Sequence, residues 1–367
     1  MQTLARGQAD LGHEVCVLCV NHANENGKDV THSKWETTST IIQMDRNVRV
    51  ERVGRWFGIS RLEICPELVK KISEASAHAD IVHLHTPNPL MLFAWWLSGN
   101  RQIPLVVTHH SDVIKQKFLQ SFVRPFEKKV YRLAEKIFTT SPGYLEGSDQ
   151  LKGYEEKVSV LPLGIDLDPY LHPTDSILSV SKSIRNINNK FWLMVGRLIY
   201  YKGYHVALEA LTKVEGNLVV VGTGPLEEEL KAKAKTLGIS HRIEWIRNVS
   251  QDKLIALYHA AAALWFPSIA RSEGFGLVQI EAMASGCPVI NTYVPSSGVS
   301  WVSLHGFSGL TVGLENPNEL AEMANELIEN TVLRTKLSAG ARERAQDLFD
   351  ASKMTLKSLE YYSKVVS

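Results

Sequence analysis

The chain has 367 residues, enough for two or three domains, and its 44% hydrophobic and 22% charged content is typical of a globular protein. The formal net charge of +1 gives no overall attraction to nucleic acid, so we expect no nucleic-acid partner. No apolar run approaches the length of about 18 residues that a membrane span needs. The first residues lack the pattern of a secretory signal, and we expect a cytoplasmic protein.

Short β-rich runs alternate with helical stretches from the first helix onward, which predicts two doubly wound α/β domains of Rossmann-like type. Several of these runs are continuously apolar, as expected of parallel strands that are covered on both faces. We predict strands at Val15–Val20, Ile81–His85, Leu105–Thr108, Ile137–Thr140, Val158–Leu161, Trp192–Val195, Leu218–Val221, Ile243–Ile246, Ala263–Phe266, Val289–Asn291 and Leu310–Val312.

Composition also predicts the domain boundaries. Residues 1–168 form the first domain, and the polar stretch 169–189 is expected to be an irregular linker. Residues 190–351 form the second domain, and a closing helix at 352–367 has no strand after it. Cys16 and Cys19 fall in what we interpret as a buried strand, where residues three apart face opposite sides and cannot share a metal.

The most informative segment is Ser272–Glu281, which follows the apolar run Ala262–Phe266. It places two glycines between a strand and a helix start, where free backbone N–H groups and the helix dipole attract an anion. Glu273 and Glu281 flank this loop, and ionised carboxylates accept hydrogen bonds from hydroxyl groups. The pattern predicts a ligand with phosphates at its centre and sugars at both ends, as in a nucleotide-sugar.

Two cations follow a strand end in the second half. Gly196 and Arg197 end the strand, and Lys202 comes shortly after, at the sheet edge where ligands bind in such folds. In the first half, His109 and His110 follow the strand Leu105–Thr108. His83 and His85 alternate along another strand and are a weaker indication of a polar rim.

These motifs resemble the donor site of the family-4 retaining glycosyltransferases, which have the GT-B fold with two Rossmann-like domains facing a cleft. The resemblance implies that Glu273 holds hydroxyls of the transferred sugar and Glu281 the ribose. It assigns Arg197 and Lys202 to the diphosphate, where they offset charge on the leaving group. The backbone that cups the diphosphate would be Gly274, Phe275, Gly276 and Leu277, with Gly196 nearby.

The family also carries a histidine in a T-x-H arrangement, which selects His110 over His109 for contact with the transferred sugar. The last helix of GT-B proteins packs back on the N-terminal domain, and we expect this of residues 352–367. Family members place a strand and a glycine-rich loop before the first helix, and nothing here matches them, so we expect that N-terminal strand to be missing. Many relatives have a glutamate where this chain has Ser296–Val299.

The implied activity is transfer of a hexosyl group, with mannose favoured, to a glycan or lipid-linked acceptor in surface-polysaccharide synthesis. The co-substrate would be a nucleoside-diphosphate sugar, with no other cofactor and no catalytic metal. The basic and aromatic stretch at residues 115–129 suggests weak contact with an anionic membrane surface, on the inner face of the plasma membrane.

Three alternatives stay open at this stage. A glycosidase also uses two carboxylates, but these flank a scissile bond rather than a phosphate loop. A sugar-nucleotide epimerase of GT-B architecture would act on the donor without an acceptor. A truncated chain would bind the donor with weak or no catalysis.

Overall fold

A computed structural model describes residues 1–24, 26–31, 33–59, 62–111, 117–187 and 190–366. The chain divides into two compact units. Unit 1 contains Met1–Thr140, Ser148–Leu161 and the C-terminal segment from residue 351. Unit 2 contains Ser141–Gly147 and Pro162–Asp350. The domain boundaries drawn from composition stay predictions.

The described residues form α/β structure throughout. The strands are β1 (Val15–Val20), β2 (Ile41–Asp45), β3 (Val48–Val53), β4 (Phe57–Ile59), β5 (Leu62–Ile64), β6 (Val82–Thr86), β7 (Leu105–His109), β8 (Lys136–Thr139), β9 (Val158–Val160), β10 (Phe191–Val195), β11 (Asn217–Val221), β12 (Ile243–Ile246), β13 (Ala263–Phe266), β14 (Val289–Thr292) and β15 (Gly309–Val312). The α-helices are α1 (Gln2–Asp10), α2 (Glu67–Ser76), α3 (Pro89–Ser98), α4 (Lys117–Leu133), α5 (Pro142–Gly147), α6 (Asp168–Leu171), α7 (Asp175–Ile187), α8 (Tyr204–Leu211), α9 (Glu227–Thr236), α10 (Gln251–Ala260), α11 (Leu277–Ala284), α12 (Val299–Val302), α13 (Pro317–Glu329), α14 (Thr331–Leu348) and α15 (Ala351–Val366).

Unit 2 is built on a six-stranded parallel sheet with the order β12-β11-β10-β13-β14-β15. The chain runs outward from β10 to β12 in one direction, then returns to β13 on the other side of β10. In parallel sheets, ligands bind beyond the carboxyl ends of the strands where the order reverses. A ligand site is therefore expected at the loops that follow β10 and β13.

Both faces of this sheet are buried, which explains the continuous apolar strands. Phe191 and Leu193 of β10 belong to one core cluster, whereas Trp192 and Met194 belong to the cluster on the opposite face. Side chains alternate across a strand, so helices on both sides are needed to cover them. The doubly wound α/β arrangement predicted for this half is confirmed.

Unit 1 contains the parallel sheet β6-β7-β8-β9, the three-stranded sheet β1-β3-β2 and the hairpin β4-β5. Helix α15 packs against α1, where the Gln8 side chain donates to Ser358 Oγ at 2.9 Å. The close approach leaves no room at Gly7, because an added Cβ would lie 2.3 Å from Thr355 Oγ1.

Strands β2 to β5 were missed by the sequence analysis. β2 is mostly exposed and β4 and β5 have three residues each, so none presents a continuous apolar run. In β3, Val48 and Val50 flank the exposed Arg49, but Val53 is out of phase with them and Glu51 is also buried, so the period-two pattern is incomplete.

The expectation of an irregular linker at 169–189 is wrong, because α7 occupies most of it and packs against α10. Ile177 and Ile184 lie on one face of α7 and contact the unit 2 core. The expectation of a buried β1 is also wrong, since Cys16 is exposed and Cys19 only half-buried. No helix in the described part of the chain is both long and apolar enough to cross a bilayer.

Candidate functional site

The loops after β10 and β11 are in direct backbone contact at the carboxyl edge of the unit 2 sheet. Gly196 N donates to Val221 O at 2.9 Å, and a Cβ on Gly222 would lie only 2.0 Å from Gly196 O. Gly196 has a φ of +146°, which favours glycine. This contact fixes the position of the backbone that follows β10.

Lys202 is placed by a 3-10 turn, Tyr200–Lys202, which is tied to the end of β13. Ile269 N donates to Tyr201 O at 2.9 Å, and a Cβ on Gly203 would lie 1.8 Å from Pro267 O. The loops that follow β10 and β13 therefore meet, as the strand order requires.

The Lys202 ammonium forms an ion pair with the Glu273 carboxylate, with 2.5 Å between Nζ and Oε2. The side chains are only 13% and 11% exposed. The same ammonium lies 4.8 Å from the centre of the Phe266 ring. The structure thus brings together two of the residues that the sequence assigned to the donor.

The loop that carries Glu273 is braced from behind by the segment after β14. Ser297 Oγ donates to Glu273 O at 2.5 Å, and Gly298 N donates to Gly274 O at 2.9 Å. A Cβ on Gly298 would lie 2.6 Å from Gly274 O. Ser296–Val299 therefore serves as a backbone support for the loop.

The backbone N–H groups from Gly274 to Val278 donate to no acceptor among the residues that the structure describes. They form the entry to α11, and Gly276 precedes that helix with a φ of +84°. Unsatisfied N–H groups and a helix N-terminus together attract an anion. This end of unit 2 can therefore bind a phosphate or diphosphate.

Glu281 lies in the second turn of α11 and accepts a hydrogen bond of 2.7 Å from the Tyr258 hydroxyl. Burial raises the pKa of Glu281, while hydrogen bonds from Tyr258 and Tyr170 oppose that rise. The carboxylate is available to accept hydroxyl groups of a ligand.

The remaining donor residues differ in what they expose. Arg197 is exposed and forms no ion pair with any described residue, so its guanidinium is free for a ligand. Leu277 is 41% exposed at the first position of α11. The Phe275 side chain packs in the core near Trp301 and Phe349, so only its backbone faces the loop.

In unit 1, His110 follows β7 and lies beside His85 of β6. Their rings stack with centroids 5.2 Å apart, and His85 Nδ1 is 2.9 Å from His110 Nε2. His83 lies 2.7 Å from Thr108 Oγ1 through Nε2 and contacts the Tyr362 hydroxyl through Nδ1.

Burial lowers the pKa of His83 to about 3 and that of His110 to about 4, and it holds the pKa of His85 well below its usual value. Each ring also feels the charge of its neighbours and of the Met1 amino group. The three rings are therefore neutral at pH 7, and one nitrogen of the His85–His110 contact donates while the other accepts.

His109 differs from His110 in being fully buried. Its Nδ1 lies 2.7 Å from the Tyr131 hydroxyl, which also contacts Thr86. Of the two adjacent histidines, only His110 has access to a ligand. Residues 115 and 116, which begin the basic and aromatic stretch noted in the sequence, lie outside the described residues.

Sequence reasoning missed several supporting residues. Tyr258 and Tyr170 stand behind Glu281, and neither has a motif that links it to α11. The role of His85 was underestimated, although a histidine at every second position of a strand was the available signal.

Comparisons with known proteins agree with this architecture. A family model described as Glycosyltransferase Family 4 matches residues 1–169, and one described as Glycosyl transferases group 1 matches residues 179–344. The structure is similar to that of HepE from Anabaena in complex with UDP, with a TM-score of 0.71, 23% identity, and 81% of this chain and 82% of that chain covered. The fold is that of the GT-B glycosyltransferases.

Two relatives make the assignment narrower. D-rhamnosyltransferase WbpZ of Pseudomonas aeruginosa is 34% identical over 282 residues, which cover 77% of this chain and 73% of the relative. O-antigen chain mannosyltransferase C of Escherichia coli is 28% identical over 324 residues, or 88% of this chain and 85% of the relative. The chain belongs to glycosyltransferase family 4.

Proposed function

We propose that this chain is a retaining hexosyltransferase that takes its sugar from a nucleoside-diphosphate donor. The observation that carries the proposal is the Lys202–Glu273 ion pair beside the free N–H groups of Gly274–Val278, at the switch point of a parallel sheet. In this arrangement a cation, a carboxylate and a row of amide donors lie together on the loops that follow β10 and β13.

Each residue has a proposed role in donor binding. Arg197, Lys202 and the backbone from Gly274 to Leu277 hold the diphosphate and stabilise negative charge on it as the sugar leaves. Glu273 accepts hydroxyls of the transferred sugar. Glu281 accepts hydroxyls of the ribose, held in orientation by Tyr258.

Transfer with retention is proposed to proceed by front-side attack of the acceptor hydroxyl on the sugar carbon as the bond to the diphosphate breaks. The acceptor's proton leaves to a donor phosphate oxygen, so no protein nucleophile is required. His110, neutral at pH 7, is proposed to contact the transferred sugar. No step is assigned to a metal ion, and we expect chelators to leave turnover unchanged.

Mannose is the proposed sugar, and a glycan or lipid-linked acceptor of surface polysaccharide is the proposed partner. Support comes from the relatives, one a D-rhamnosyltransferase and one an O-antigen chain mannosyltransferase. For the nucleotide, the Anabaena structure holds UDP, so both UDP- and GDP-sugars belong in the test. Helix α4, basic and aromatic, is proposed to give weak attachment to the inner face of the plasma membrane.

The test is a thermal-unfolding panel with GDP-mannose, UDP-glucose and related donors, followed by turnover with an acceptor. The true donor should raise the unfolding temperature as its concentration exceeds the Kd. Glu281→Gln should raise the Kd for that donor about tenfold or more, because a charge-assisted hydrogen bond contributes about 1.5–3 kcal/mol.

Glu322→Gln, on the exposed part of α13, is the matched control and should leave binding unchanged. Isomerised donor without acceptor would indicate an epimerase, and hydrolysis of simple glycosides would indicate a glycosidase. Donor binding with no product would leave only a nucleotide-sugar-binding protein. Equal affinities of Glu281→Gln and wild type would contradict the proposed ribose contact.

A further inference from the structure

Unit 1 contains a cavity of about 560 Å³ that the proposed glycosyl transfer does not use. Its walls come from the C-terminal half of α4 and from residues 149–157, which follow α5 and lead into β9. Both walls belong to unit 1, and every lining residue is described.

One wall is a stripe of cations along a single face of α4. Arg124, Lys128 and Arg132 are spaced four residues apart, which aligns them on one side of a helix. All three are exposed, and none forms an ion pair with a residue that the structure describes. Three unpaired cations in one row repel one another and favour an anionic partner.

The other wall presents an amide that lacks a partner. Gln150 is only 7% exposed, and neither its Nε2 nor its Oε1 has a hydrogen-bond partner among the described residues. A buried amide that is left without hydrogen bonds destabilises the folded chain. Since Gln150 lines the cavity, a ligand held there would satisfy it.

The cavity is framed by hydrogen bonds rather than by loose side chains. The Tyr154 hydroxyl donates to Lys128 O at 3.0 Å, and Lys157 Nζ donates to Arg132 O and Ala134 O at 2.8 Å each. These bonds fix the distance between the two walls. The site is therefore formed before any ligand arrives.

The balance of charge in the lining is positive. Of its two carboxylates, Asp149 pairs with Lys152 at 2.6 Å, and the buried Glu127 lies 3.3 Å from the Tyr131 hydroxyl. The five cations of the lining outnumber these two carboxylates.

We propose that this cavity binds a phosphoryl group, with Arg124, Lys128 and Arg132 holding its charge and the Gln150 amide donating to one of its oxygens. Guanidinium and ammonium groups are the side chains best suited to phosphate oxygens. The phosphate is either free in solution or part of an anionic lipid headgroup, and the two sources share this chemistry.

The experiment titrates inorganic phosphate into the full chain, against chloride of equal ionic strength, because screening alone weakens exposed charges. The double variant Lys128→Ala/Arg132→Ala and the single variant Gln150→Glu should each raise the Kd for phosphate about tenfold or more, since each loses a charge-assisted contact. Gln150→Glu keeps the shape of the side chain and replaces its donor by a second acceptor. The double variant changes only exposed side chains, so it tests the site even if Gln150→Glu is unstable.

Lys129→Ala is the matched control, because Lys129 has the same charge but points toward Trp96 and Phe126. Lys202→Met controls for anion binding in unit 2. Lys129→Ala should bind phosphate with the affinity of wild type, and the phosphate binding that remains in Lys202→Met belongs to the unit 1 cavity. The proposal is overturned if Lys129→Ala weakens phosphate binding as much as the double variant does, or if Lys202→Met is the only variant that loses phosphate binding. It is also overturned if Gln150→Glu is folded and binds phosphate as wild type does.

A vesicle arm distinguishes the two sources of phosphate. Co-sedimentation is measured with vesicles of phosphatidylcholine, with and without phosphatidylglycerol. The ligand is a lipid headgroup if the wild type and Lys129→Ala bind the anionic vesicles and if Gln150→Glu and the double variant do not. Phosphate binding without vesicle binding assigns a soluble ligand, and absence of both rejects the site.

Discussion

At the scale of single residues, the Lys202–Glu273 pair combines a structural and a proposed chemical role. Both side chains are largely buried, so each depends on the other for compensation of its charge. Lys202 follows β10 and Glu273 follows β13, and the two strands pair only in the folded sheet. The pair therefore keeps charged groups ready at the loop that contains the free N–H groups.

Lys202→Met is expected to lower the free energy of unfolding by about 3–5 kcal/mol, since removing one partner leaves a buried charge uncompensated. Lys202→Met combined with Glu273→Gln should recover most of that loss but not donor binding. Urea unfolding and donor titration of the single and double variants measure the two effects.

Lys70→Met serves as the control, because Lys70 pairs with Glu74 on α2 and both side chains are more than half exposed. An exposed pair contributes about 0–1 kcal/mol. If Lys202→Met lowers the free energy of unfolding no more than Lys70→Met does, the Lys202–Glu273 pair has no special structural role.

At the scale of elements, the function depends on how the chain enters α11. Gly276 adopts a left-handed backbone conformation, and a Cβ there would lie 2.5 Å from Cζ of Phe266. The segment after β14 supports the same loop through Gly298. The position of the free N–H groups is thus set by contacts with two different strand ends.

Gly276→Ala should cost more stability than Gly238→Ala, although both glycines have positive φ. At Gly238 an added Cβ meets nothing within 4 Å, so that variant measures the backbone cost alone, about 1 kcal/mol. The contact with Phe266 should add about 1–3 kcal/mol. Denaturant unfolding and donor titration should show weaker donor binding for Gly276→Ala alone; identical behaviour of the two variants would contradict this account.

At the scale of the whole molecule, the histidines of unit 1 link stability to pH. His83, His85 and His110 all have lowered pKa values in the folded chain. The unfolded chain therefore binds more protons below about pH 6.5, the usual histidine value, and stability falls as pH decreases. Glu281 acts in the opposite direction, because its raised pKa favours the folded state when the carboxyl is protonated.

We expect the free energy of unfolding to fall between about pH 6.5 and about pH 4.5, by up to about 1.4 kcal/mol per pH unit for each histidine. His85→Asn should make this dependence shallower, and His241→Asn, at an exposed position, should leave it unchanged. Urea unfolding over that range is the measurement. A slope that His85→Asn does not alter would exclude His85 as a source of it.

Much of unit 2 was predictable because its information is local. Continuous apolar runs such as Leu218–Val221 indicate strands that are buried on both faces, and Asn316 before Pro317 is a local signal for the start of α13. The Glu273–Glu281 segment predicted its strand–loop–helix context for the same reason. In unit 1, β2 is mostly exposed, so its sequence lacks the pattern of buried apolar residues from which a strand is predicted.

The sequence alone determines the α/β class, the succession of the principal strands along the chain and the residue types at the candidate site. It does not determine that Tyr258 hydrogen-bonds Glu281, that His85 meets His110, or that Gln150 is left without a partner. These features depend on residues that are far apart along the chain, and they arise only when the sheets and their helices have packed together. Propensity and periodicity describe neighbours in sequence, whereas the chemistry of this protein depends on neighbours in space.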